Sequence, residues 1–126
     1  MSPDLASSLT DVIFRTILIY DDRKSRRAVD DVIVKALGEA VFMKTFAAAL
    51  VQSMEKQSKF QSHIGCYRLL SWSCLLLCNS QFAAVSKNAL CRVAIAQASL
   101  LKAAMQRSFR EQRACRKKFF HLFNQV

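Results

Sequence analysis

A chain of 126 residues, 52% hydrophobic, with two Gly, one Pro and a formal charge of +10, is long enough for one modest core that buries roughly two thirds of its unfolded surface. So few turn formers exclude a fold of many short strands and point to all-α. The charge favours anionic partners, whether RNA, an acidic protein surface or anionic lipid, and says nothing about fold.

Apolar periodicity of about 3.6 residues divides the chain into six predicted helices. The first spans 3–20, with Pro3 at a first helical position and Val12, Ile13, Ile17 and Leu18 inward. The second spans 22–37, with acids at its start, Val29, Val32, Ile33 and Leu37 inward, and Gly38 as a left-handed stop. The third, 39–56, turns Phe42, Phe46, Ala49, Leu50 and Met54 inward. The fourth, 60–78, offers Ile64, Tyr67, Leu70, Cys74, Leu75 and Leu77, and ends at Asn79-Ser80. The fifth spans 82–105 and the sixth 108–124.

Alternate helix starts recur at about 37–48 residues, near the roughly 40–47 of a two-helix HEAT or armadillo unit. The expectation is a HEAT/armadillo-like α-solenoid segment in one piece, residues 1–126, of three helix pairs at 3–37, 39–78 and 82–124. An up-and-down bundle of six such helices is the competing arrangement. Helices four and five are apolar over much of their circumference, as a layer covered on both sides would be. The end, FFHLFNQV, lacks the polar face of a terminal repeat, so the chain is expected to be a fragment of a longer solenoid.

Five Cys, at 66, 74, 78, 91 and 115, form no C-x-x-C pair. Most sit in apolar runs, where a free thiol acts as a small hydrophobe, and a reducing compartment fits. The start MSPDLASSLTDVIF shows no signal-peptide pattern, and the most apolar window, 69–78, is about half of what a bilayer span needs. The expectation from these features is a soluble, non-secreted protein.

Chemistry-bearing constellations are sparse. Cys74 and Cys78 share a face near His63 and Cys66, but no loop supplies the closing ligands of a zinc site. A thiol–imidazole pair at Cys66 and His63 lacks an orienting third group, and the two Gly are too far apart for a phosphate loop. Asp21 and Asp22 read as charge at a helix start. Within DRKSRRAVDDVIVK, Arg26 and Arg27 stand at i, i+3 or i, i+4 from Asp30 and Asp31, the pattern of a solvent-exposed, self-neutralised surface. Tyr67 and Trp72 read as core aromatics. No catalytic residue, metal ligand, cofactor or small-molecule site is assigned.

The basic end is more informative. Residues 1–63 hold nine basic and eight acidic side chains, whereas 64–126 hold ten basic ones and the single acid Glu111. At about 100° per residue, Phe109, Gln112, Cys115, Phe119, Phe120, Leu122 and Phe123 share one arc of RSFREQRACRKKFFHLF. Arg107, Arg110, Arg113, Lys117 and Lys118 occupy the opposite arc, and only Arg116 breaks the partition. The five cations form a candidate contact face for an anionic partner.

The runs YDDRKSRRAVDDVIVKALGE, FMKTFAAALVQSMEKQSKF, CYRLLSWSCLLL, SQFAAVSKNALCRVA and QRACRKKFFHLF resemble the N-terminal region of the very large HEAT-repeat activators of the general amino-acid control kinase, closest to the plant form. The likeness covers residues 4–125. It implies a non-catalytic cytosolic scaffold that associates with ribosomes or polysomes, through rRNA or ribosomal proteins. Such a scaffold helps to activate the kinase of the alpha subunit of eukaryotic initiation factor two under amino-acid starvation and stress. The family's kinase-binding region lies outside this chain. The competing readings are a general protein-interaction helical-repeat module and a basic RNA-binding helical domain.

Overall fold

The computed structural model describes the backbone of residues 1–19, 22–56 and 63–124, and the side chains of residues 1–16, 22–56, 65–103 and 106. Among the described residues it is all-helical, without strands: α1 Pro3–Ile19, α2 Arg23–Ala36, α3 Ala40–Glu55, α4 His63–Leu77 and α5 Ala84–Asn124.

Local chemistry sets the helix starts. Pro3 occupies the first turn of α1, where its missing N–H costs no bond, and Ser2 Oγ accepts from Leu5 N at 3.1 Å. Asp22 caps α2 from an extended conformation. Its Oδ2 accepts from Ser25 N at 3.0 Å and its Oδ1 from the Ser25 hydroxyl at 2.6 Å, so the reading of Asp22 as start charge holds. At the far end of α2, Gly38 is not the left-handed stop that was expected, for no glycine among the described residues has a positive φ. Leu37 is right-handed at φ −64° and ψ −12°. The turn closes instead through Glu39 N donating to Ala36 O at 2.9 Å, a tight bond that needs no αL residue.

Asn79 ends α4 as expected. Its side-chain Oδ1 accepts from Gln81 N at 2.9 Å and its carbonyl from Phe82 N at 3.2 Å, an Asx turn that redirects the chain. The separately expected fifth and sixth helices are one helix of 41 residues, about 60 Å long at 1.5 Å per residue. No Gly or Pro lies within Ala84–Asn124, so nothing in the polar stretch around 106–108 removes a backbone hydrogen bond.

The core is organised on α3, which packs against α1, α4 and α5, while α4 also packs against α1 and α5. Phe42, Phe46, Leu50 and Trp72 are completely buried. Phe46 lies with its ring centroid 5.8 Å from that of Phe14 and 5.8 Å from that of Trp72. Phe14 and Trp72 themselves meet edge to face at 5.6 Å, and Phe42 stacks on Phe46 at 5.3 Å. These offset and edge-to-face arrangements suit ring quadrupoles and lock three helices together.

Some expected registers shift. On α4 the buried stripe is Cys66, Leu69, Trp72, Ser73 and Leu76, while Tyr67 is 65% exposed. The helix is apolar almost all round, so periodicity could not select a face. Val12 and Val32 are exposed, and among the described residues the buried positions are Ala6, Thr10 and Ile13 on α1 and Ile33 and Ala36 on α2, the side chains of Ile17 and Leu18 lying outside those described. On α3, Phe42, Phe46, Leu50 and Met54 of the expected stripe are buried, joined by Met43 and Ala47, while Ala49 is half-buried.

Candidate functional site

The most chemically distinctive surface lies between α2 and α4. Arg23, Arg26, Arg27 and Asp30 fall at i, i+3, i+4 and i+7 along α2 and so share one face. Together with Tyr67, Arg68 and Ser71 of α4 they line a cleft of 270 Å³. Among the described residues, the lining of that cleft holds four guanidinium groups and one carboxylate.

Two of its lining residues, Asp30 and Arg68, form a unit with the buried Trp72. The Trp72 indole N–H donates to Asp30 Oδ1 at 3.1 Å, and the Arg68 guanidinium carbon sits 5.2 Å from the Trp72 ring centroid. Arg68 Nη1 lies 3.7 Å from the same Asp30 oxygen, an ion pair too long to be a hydrogen bond. Arg68 is only 7% exposed, yet its guanidinium makes no hydrogen bond to another described residue. Ring and carboxylate therefore hold the guanidinium in place without using its directional donors.

This unit corrects the reading of α2 as a self-neutralised surface, because Asp30 reaches across to α4 and pairs with Arg68. The sequence does carry a signal for it. Arg68 interrupts an apolar run, and a cation folded into a core face requires a partner carboxylate from another element.

The cysteines also depart from expectation. Cys66 is buried and accepts from Gln97 Nε2 of α5 at 2.8 Å, but Cys74, Cys78 and Cys91 are exposed. Burial pushes the Cys66 thiol above its ordinary value of 9.0, with the Gln97 hydrogen bond opposing that rise. Among the described residues, no group of three or more His, Cys, Asp or Glu could hold a metal ion.

The expected cation face falls in the last part of α5. The backbone carrying Arg107, Arg110, Arg113, Lys117 and Lys118 is helical, but their side chains, with those of Arg116, His63, His121 and Cys115, lie outside the described residues. A second, larger concavity of 670 Å³ lies along the seam of α3 with the start of α5 and is lined mainly by apolar and small side chains, among them Met43, Ala47, Val51, Phe82 and Ala89. No helix among the described residues is long and apolar enough to cross a membrane.

Over 125 residues, 99% of its length, the chain is 63% identical to Protein ILITYHIA of Arabidopsis thaliana, and it spans 5% of that protein. No protein-family model matches the chain, and no solved structure matches it.

Proposed function

We propose that the chain is a non-catalytic scaffold segment of the HEAT/armadillo solenoid type, acting in the cytosol in ribosome-linked translational control under amino-acid starvation and stress. The observation that carries this reading is the 63% identity to Protein ILITYHIA over 99% of the chain, in agreement with the family resemblance of its sequence runs. The all-helical architecture supports it, with α3 packed against both α1 and α5 as alternate helices of a stacked array would be. On this reading the ribosome, through rRNA or a ribosomal protein, is the partner, and kinase recruitment belongs to regions beyond these residues.

The contact is assigned to Arg107, Arg110, Arg113, Lys117 and Lys118. Changing Arg107, Arg110 and Arg113 to Glu and sedimenting the protein with ribosomes at low and moderate salt tests it. Loss of co-sedimentation in the variant, together with salt-sensitive binding of the parent, is expected; unchanged binding removes the assignment.

A second reading, a general protein-interaction module, draws on the apolar concavity between α3 and α5. Salt-insensitive binding to a protein partner, abolished when Ala48 is enlarged to Trp, favours it over the ribosomal reading.

A further inference from the structure

We propose that the cleft between α2 and α4 binds a segment of single-stranded RNA, with a base stacked on Tyr67 and neighbouring phosphates held by Arg23, Arg27 and Arg68. The inference goes beyond the translational reading and stands on the cleft alone.

Three observations carry it. Arg68 is a buried cation lining the cleft, positioned by Trp72 and Asp30 but with a guanidinium that makes no hydrogen bond among the described residues. A guanidinium held this way recognises phosphate with little loss of side-chain freedom. Tyr67, 65% exposed on the neighbouring position of α4, takes part in none of the core's ring contacts, so its ring is available as a platform. Arg23 and Arg27 are exposed one turn apart along α2 and line the same cleft as that ring.

A positive groove that tracks the backbone, joined to an aromatic on which a base stacks, is the physical arrangement of sequence-tolerant single-strand binding. The volume of 270 Å³ lies just under the roughly 300–1,000 Å³ of drug-sized ligand pockets, the scale of one nucleotide rather than of a helix or a folded domain. An acidic peptide would use the same cations, but it offers Tyr67 a flat π-face only where it carries an aromatic side chain, whereas every nucleotide of RNA offers one.

Filter binding of a short radiolabelled oligouridylate tests the proposal. The chain is used in its parent form and in a background where Arg107, Arg110, Arg113, Lys117 and Lys118 are all changed to Gln, so that the end of α5 cannot supply the signal. In that background RNA binding is expected to persist. Tyr67→Ala should weaken it roughly 5- to 150-fold, the range for losing one stacked base, while Tyr67→Phe stays within about twofold. The double variant Arg23→Gln, Arg27→Gln should flatten the log K against log salt slope by roughly 1.4, about 0.7 for each phosphate no longer neutralised.

Absence of RNA binding in the Gln background, indifference to Tyr67→Ala, or preference for an acidic phosphoserine peptide overturns the cleft assignment. Those results leave the ribosomal reading standing if the α5 Glu variants still lose co-sedimentation. Conversely, cleft variants that behave as expected, beside α5 Glu variants that still sediment with ribosomes, sink the ribosomal assignment alone.

Discussion

Trp72 donates its indole N–H to Asp30 Oδ1 across 3.1 Å, and this bond joins two helices whose residues stand 42 positions apart. Asp30 is also the counter-ion of the buried Arg68, so one carboxylate serves two groups on α4. Asp30→Ala should therefore leave both without a partner, at a cost of about 1–3 kcal/mol. The lower half of that range is expected, because the Asp30 side chain is 38% exposed and water screens the pair. Asp30→Asn keeps an acceptor for the indole and should lose less. Urea unfolding of the three proteins decides; equal losses for Ala and Asn would mean that the indole bond contributes nothing.

Phe46 lies at the junction of α1, α3 and α4, in ring contact with Phe14, Phe42 and Trp72. Phe46→Ala should cost roughly 3–5 kcal/mol, as expected for a large aromatic removed from a tight site. Tyr67→Ala, on the exposed side of α4, should remain within about 0.5 kcal/mol of the parent. Denaturant midpoints measured side by side check both, and a similar loss at the two positions would contradict the observed register of α4.

Gly38→Ala should stabilise the protein by about 0.4–1 kcal/mol, since it restricts the unfolded chain without straining the folded one. The added Cβ would meet only Lys35 O at 3.6 Å, an ordinary contact, and no positive φ stands in the way. A lowered melting temperature would instead restore the left-handed stop expected from sequence.

The Asp22 carboxyl is held below its ordinary 3.8 by the Ser25 hydroxyl first and the Ser25 backbone N–H second. A carboxylate whose folded value is depressed adds stability that is present above 3.8 and is lost as pH falls through the lowered folded value. Urea midpoints of the parent should therefore fall more steeply on acidification than those of Asp22→Asn, in which position 22 does not titrate. Parallel curves would show that the cap contributes no such linkage.

Cys66 should alkylate far more slowly than Cys74, Cys78 and Cys91, because it is buried and its thiol is raised above 9.0 by that burial, leaving little thiolate near neutrality. Iodoacetamide labelling of native protein, followed by peptide mapping, resolves each site. Comparable labelling at Cys66 and Cys91 would show that the α4–α5 seam opens readily.

Most of the helical layout was legible because caps and breakers are local. Pro3, Asp22 and Asn79 mark their boundaries through single side chains, and Phe42, Phe46, Leu50 and Met54 fix the face of α3 by spacing alone. The register of α4 and the cleft share a cause, for each depends on a partner distant in sequence. On α4 nearly every residue can be buried, and the choice of Trp72 over Tyr67 follows from the Phe14–Phe46 pair and from Asp30 on α2. The continuity of α5 was missed because polar composition around 106–108 imitates a joint, although no residue there opposes helix. The cleft stayed hidden for the reason that made α2 look self-sufficient, since intrahelical spacing offers Asp30 nearby cations while the fold gives it a distant one.

Trp72 is the single tryptophan of the chain, and it lies fully buried beneath Arg68 and bonded to Asp30. Its emission therefore belongs wholly to the place where α2 meets α4. The native protein carries its own optical probe there, with a cation over the ring and a carboxylate at its N–H to shift the spectrum when either moves. Unfolding of the aromatic core and displacement of Arg68 at the cleft thus become visible in one unlabelled signal.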